Sequence, residues 1–127
     1  MATFWTLGCD ADDPQRIATF WARALGYVKE PGFDTPGNAS IIDPDGQGPA
    51  IGFLKVPEGK TAKNRMHIDI RVAGPGPWDP AERTRLIQQK VPELVAAGAT
   101  VIREEWDGGD LGHVVMQDPE GNEFCIA

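Results

Sequence analysis

The chain has 127 residues, 41% hydrophobic and 24% charged, the balance of a folded globular protein rather than a disordered one. Twelve Lys and Arg against 19 Asp and Glu leave a net charge of −7 with no basic run, which argues against nucleic acid or an anionic membrane as partner. Met1 to Cys9 lacks the basic and apolar regions of a signal peptide, no apolar stretch approaches the ~20 residues that span a bilayer, and Cys9 and Cys125 are isolated thiols without a CxxC, so a reduced cytoplasmic setting is expected.

Thr3 to Cys9 is short, aromatic and β-branched, and reads as a strand. Asp13-Pro14 then opens a helix, with Asp capping free N–H groups and Pro at the first helical position. Ile17, Phe20, Trp21, Ala24 and Leu25 recur at helical spacing and form one apolar stripe, which Gly26 ends. Tyr27 to Lys29 starts a second strand and Ala39 to Asp43 a third. Asp43-Pro44-Asp45-Gly46 is a tight turn, and Ala50 to Val56 returns as a fourth strand. Residues 57–64 are a polar connector.

After the connector the order repeats. Met66 to Val72 alternates in polarity as a strand does. A Gly/Pro-rich loop, Ala73 to Trp78, leads to Asp79-Pro80 and a second helix start. Leu86, Ile87, Leu94 and Val95 give that helix an apolar side, and Gly98 closes it. Pro92 lies inside and has no N–H to give, so a kink or two short helices are expected. Ala99 to Glu104 and Leu111 to Gln117 are strands, Asp118-Pro119-Glu120-Gly121 is a turn, and Glu123 to Ala127 is the last strand.

Three landmarks therefore occur twice in the same order: Asp-Pro at 13 and 79, a helix-ending Gly at 26 and 98, and DPDG at 43 matched by DPEG at 118. Half a chain of this length buries too little apolar surface to be stable alone. The expected fold is α+β: two βαβββ modules, residues 1–56 and 65–127 joined by linker 57–64, whose curved mixed sheets carry helices on the convex side and surround one cavity.

The landmarks resemble the vicinal oxygen chelate superfamily of glyoxalases, bleomycin-resistance proteins and extradiol dioxygenases, and above all its glyoxalase-like domains. The residues that carry the resemblance are Phe20-Trp21 followed by Leu25-Gly26-Tyr27, the run Lys63 to Asp69, Ala97-Gly98-Ala99, and Asp118 to Asn122. It extends over nearly the whole chain and implies the paired-module fold and a homodimer. It also implies metal ligands on the first and last strands of each module. The corresponding positions here are Thr6, Ala50 or Leu54, His67, and Cys125, which stands where the usual Glu would be, three residues after Asn122. Only His67 matches the pattern. His67, Cys125 and the nearby Glu123 are weak metal candidates, no cofactor is expected outright, and a divalent metal is the alternative.

Strand alternation divides the remaining residues. If His67 faces the cavity, so do Asp69 and Arg71, with Ile68, Ile70 and Val72 on the helix side. Likewise His113, Val115 and Gln117 face the cavity, opposite Val114 and Met116. The candidate ligand-binding set is Thr6, Leu54, His67, Asp69, Arg71, His113, Gln117 and Cys125. His67, Asp69 and Glu123 are the candidates for proton transfer, since a His beside a carboxylate is the general form of such a site. Trp78 and Trp106 lie in or beside Gly-rich loops, at a cavity mouth or a dimer surface.

Two functions follow. One is a protein that binds a small molecule in an inter-module pocket without the full superfamily metal site. The other is a metal-dependent lyase, isomerase or dioxygenase of the same superfamily.

Overall fold

The computed structural model describes residues 2–127 and divides into two units, one running to Lys60 and the other from Thr61 to Ala127. In the first, β1 (Leu7–Ala11) is followed by α1 (Pro14–Leu25), β2 (Val28–Thr35), β3 (Asn38–Ile42) and β4 (Ile51–Lys55). The sheet order is β1-β4-β3-β2, with β1 and β4 parallel and the other pairs antiparallel. The second unit repeats the plan with β5 (Asp69–Ile70), α2 (Pro80–Ala96), β6 (Thr100–Asp107), β7 (Asp110–Gln117) and β8 (Glu123–Ile126), in the order β5-β8-β7-β6. Here β5 and β8 are the parallel pair. Each unit is thus a four-stranded mixed sheet with one helix, a βαβββ module. Among the described residues no helix is long and apolar enough to cross a membrane.

The Asp-Pro helix starts and Asp-Pro turns are the same devices used twice, but the helix ends are not: α2 is capped by Ala97 in the right-handed region, and Gly98, expected to close it, follows at φ +114°. Asp13 and Asp79 accept hydrogen bonds from the backbone N–H of Arg16 and Glu82, each at 3.3 Å, and so cap the two helices, with Pro14 and Pro80 at the first helical positions. Gly26 ends α1 at φ +72°, a left-handed conformation that L side chains rarely adopt. In the two Asp-Pro turns the leading carboxylate organises the backbone that follows it. Asp43 accepts from the N–H groups of Asp45, Gln47 and Gly48, and these donors hold its carboxyl below the usual carboxylate range. Asp118 accepts from the N–H groups of Glu120 and Asn122 and from the Asn122 amide.

The helices bury most of their predicted stripes, with Leu25 and Leu86 half-buried. Ile17, Phe20, Trp21 and Ala24 of α1 are buried and pack toward β3 and β4, where Ala39, Ile41, Ile51 and Phe53 complete the first core. Phe20 and Trp21 meet edge to face, ring centroids 5.3 Å apart. In the second unit Ile87 and Leu94 of α2 pack with Val114, Met116, Phe124 and Ile126. Val95, expected on the same side, is 45% exposed, because one residue past Leu94 the helix has turned about 100°.

Three expectations are corrected. The opening strand is not Thr3 to Cys9 but Leu7–Ala11; Phe4 and Trp5 are 87% and 60% exposed, and their β propensity finds no partner strand. The strand expected over Met66 to Val72 narrows to Asp69–Ile70, with hydrogen bonds to the β8 segment running from the Ile68 carbonyl to the Val72 N–H, because β5 is an edge strand whose one neighbour, β8, is itself four residues long. Pro92 does not divide α2 into two short helices: the helix runs unbroken from Pro80 to Ala96. Gln88, whose carbonyl loses its partner, and Pro92 both lie on the exposed side, where water replaces the missing donor.

Phe124 has no exposed surface, so Phe124→Ala is expected to cost about 3–5 kcal/mol, against ~1 kcal/mol for Asp13→Ala at the α1 cap. Urea unfolding of the two variants, compared through their midpoints, checks this ranking.

Candidate functional site

The second unit's sheet has one face toward α2 and one that its helix leaves uncovered. Val114, Met116, Phe124 and Ile126 belong to the helix side, so strand alternation assigns their neighbours to the other. Register then lines up one row across four strands: Asp69 on β5 beside Cys125 on β8, Cys125 opposite Val115 on β7, and Val115 opposite Arg103 on β6. Gln117 pairs with Glu123 and His113 with Glu105 on the same face.

At the β5 end of this row the side chains converge. His67 Nδ1 lies 2.9 Å from Asp69 Oδ1. One ligand atom from each of His67, Asp69 and Cys125 falls within 4.8 Å of the others. A carboxylate accepts, so Nδ1 carries a proton in this contact, and in the neutral ring Nε2 keeps its lone pair. That nitrogen is the group free to take a proton from a ligand or to bind a metal. The Cys125 thiol is pushed up from its ordinary pKa, first by burial and then by the Asp69 charge and hydrogen bond, while Arg103 and Lys63 pull the other way. Cys125 is therefore a neutral thiol near pH 7.

The other candidates fall elsewhere. Glu123 turns away from the cluster: its Oε2 accepts from the backbone N–H of Asn64 at 3.2 Å, and Asn64 Nδ2 donates to its carbonyl at 3.4 Å. His113 and Gln117 are half-buried on the uncovered face of β7. Arg71 does not pair with Asp69. It leaves the sheet just after β5, with its Cζ 4.3 Å from the centroid of the Trp78 ring. Trp106 is half exposed and donates from Nε1 to Glu104 at 3.1 Å. In the first unit Thr6 is exposed and precedes β1, and Leu54 is 57% exposed on β4. Sequence reasoning missed Arg103. Its only signal was the β6–β7 register, and a bulge between Val101 and Arg103 shifts that register by one residue.

The metal that the superfamily resemblance implies can be tested against these residues. Thr6 and Leu54 give the first unit no effective donor. The second unit alone supplies imidazole, carboxylate and thiol donors in one cluster, a set that fits a thiophilic divalent ion such as zinc, with Asp69 a member that the ligand pattern did not include.

The repeated βαβββ plan and the uncovered sheet face define a glyoxalase-type α+β protein. The profile of the glyoxalase-like domain matches residues 6–127, and the chain belongs to that family. Its fold is similar to that of a glyoxalase/bleomycin resistance protein/dioxygenase family enzyme from Burkholderia phytofirmans, at 18% identity and TM-score 0.73, over 98% of this chain and 97% of that one. FosX, a fosfomycin resistance protein from Listeria monocytogenes solved with Mn(II) and a dihydroxypropylphosphonic acid, is 10% identical with TM-score 0.69, over 99% and 90% of the two chains. A glyoxalase-related enzyme from Fulvimarina pelagi is 18% identical with TM-score 0.64, over 100% and 88%. No curated protein matches the chain.

With Cys9 replaced by Ser and a chelator present, alkylation of Cys125 should rise with pH along a curve displaced above that of a free thiol. Asp69→Asn should move the curve to lower pH and Arg103→Gln to higher pH. Curves that do not move in either variant would show that neither charge reaches the sulfur.

Proposed function

We propose that this protein binds a small molecule on the uncovered face of its second β-sheet, at the row Asp69–Cys125–Val115–Arg103. The observation that carries the reading is the convergence of His67, Asp69 and Cys125 beside a buried Val115. A few convergent polar groups against an apolar floor are what orients a small ligand and holds it. His67 Nε2 accepts a proton or hydrogen bond from the ligand while Asp69 fixes the ring, and the neutral Cys125 thiol donates weakly. The reduced cytoplasmic setting and the homodimer expected from the sequence belong to the same proposal.

A second reading rests on the same three donors. Held by His67, Asp69 and Cys125, a divalent ion would supply Lewis-acid chemistry to a lyase, isomerase or dioxygenase of the superfamily type. In that case Asp69 contributes directly, or from behind the imidazole as the carboxylate that sets its tautomer.

Backbone amide shifts recorded during a small-molecule screen test the first reading. The expected result is a hit whose perturbations centre on Asp69, Val115, Arg103 and Cys125 and vanish in His67→Ala; hits confined to the first unit would overturn it. Zinc titration by calorimetry decides between the readings: one equivalent bound, weakened about tenfold or more in His67→Ala, supports the metal, and no saturable uptake removes it.

A further inference from the structure

Trp78 stands at the end of the loop between β5 and α2 with two cations against its ring. Arg71 Cζ is 4.3 Å from the ring centroid and Arg83 Cζ is 5.2 Å from it. The indole is fixed in place: its Nε1 donates to the Gly74 carbonyl at 2.7 Å, and Gly76 lies against the ring so closely that a Cβ there would sit 3.4 Å from it. Arg83 is also held, since its Nη2 donates to the Gly112 carbonyl. Arg71 is exposed and Arg83 half-buried.

Neither guanidinium has a carboxylate partner among the described residues, although the chain carries seven more acids than bases. The acids nearest to them in sequence are engaged elsewhere. Asp69 holds His67, Asp79 caps α2, and Glu82 is taken through both carboxylate oxygens by Arg85, at 2.6 and 2.9 Å. Two like charges drawn to one ring repel each other. The indole face compensates part of that repulsion, but it leaves most of the guanidinium N–H donors unused.

We propose that Arg71 and Arg83, arranged around Trp78, form a binding site for an oxyanion: the carboxylate or phosphate group of a small molecule. The planar guanidinium fork matches both groups, and an anion within reach of both cations would offset their mutual repulsion. Fixing Trp78 and Arg83 in advance lowers the ordering cost of binding. The site uses none of His67, Asp69 or Cys125, so it does not depend on the reading proposed for that cluster.

The test uses the full chain, labelled for observation of Arg Nε–H and Trp indole N–H signals, and titrated at constant ionic strength with inorganic phosphate and, separately, with acetate. Saturable shifts of the Arg71, Arg83 and Trp78 side-chain signals with either anion are expected, and which anion saturates tells phosphate from carboxylate. Arg71→Gln should weaken binding about tenfold, and Arg71→Lys should restore only part of it. Arg71 is exposed, so these variants keep the fold even if Arg83→Gln does not, and circular dichroism verifies this. The proposal fails if neither anion produces a saturable shift, or if Arg71→Gln titrates like the parent, which would mark a general ionic effect.

Discussion

The arrangement of the second unit depends on one carboxylate. Asp118 is 4% exposed and sits at the turn between β7 and β8, where it gathers the N–H groups of Glu120 and Asn122 and the Asn122 amide. Gly121 follows at φ +86°, and the Asp118 N–H donates to the Asn122 carbonyl at 2.8 Å, closing the hairpin. That closure sets Gln117 opposite Glu123, hence Val115 opposite Cys125 and Met116 opposite Phe124. Side chains alternate with a period of two, so a slip of one residue would turn Cys125 toward α2 and Phe124 into water. β5 pairs only with β8 in its sheet, so the same register also brings Asp69, and with it His67, to Cys125. The buried turn thus positions the cluster from several residues away.

Much of this was legible in the sequence because the landmarks are local. Asp-Pro helix starts, helix-ending glycines and Asp-Pro turns are decided by a few neighbouring residues, and their recurrence gave the two-module plan before any long-range contact was known. Alternation placed Val114 and Met116 in the core and His67 and Asp69 outside it, since period-two patterns depend only on the strand direction. Long-range pairing was what local pattern left open. Phe4 and Trp5 read as strand by propensity, yet they meet no partner, while the pairing reaches on to Asp10 and Ala11. The length of β5 was set by β8 and not by its own alternation. Arg103 reached the row through a bulge, which no period-two count reveals. Glu123 shows the same limit: it shares parity with Cys125, but the connector residue Asn64 engages its carboxylate, and that contact lies far away in sequence.

The duplicated plan has diverged in chemistry more than in topology. On the uncovered side of the first sheet, alternation places Gly8, Gly52 and Leu54, with Asp10, Asn38 and Ser40 as polar members. The matching side of the second sheet carries imidazole, carboxylate, thiol and guanidinium groups. Topology survives such divergence because it rests on caps, turns and the opposite, apolar face, none of which the uncovered residues touch.

The thiol at Cys125 decides how the two functional readings stand to each other. A carboxylate at that position would be charged near neutral pH and would make the cluster an anionic cradle for a divalent ion. Burial and the Asp69 charge instead keep the sulfur protonated, so a metal must first displace its proton, and the apparent affinity carries that cost and weakens as pH is lowered. A neutral ligand meets no such requirement: it finds the hydrogen-bonded pair of His67 with Asp69, beside a weak donor and the wall of Val115. Arg103 lowers the thiol's pKa, and so eases metal entry, only to the extent that its own partner, Glu105 at 2.6 Å, leaves its charge uncompensated. On the reading proposed above, a thiol where the superfamily resemblance implies a carboxylate would favour small-molecule binding while leaving thiophilic metals a pH-dependent route in.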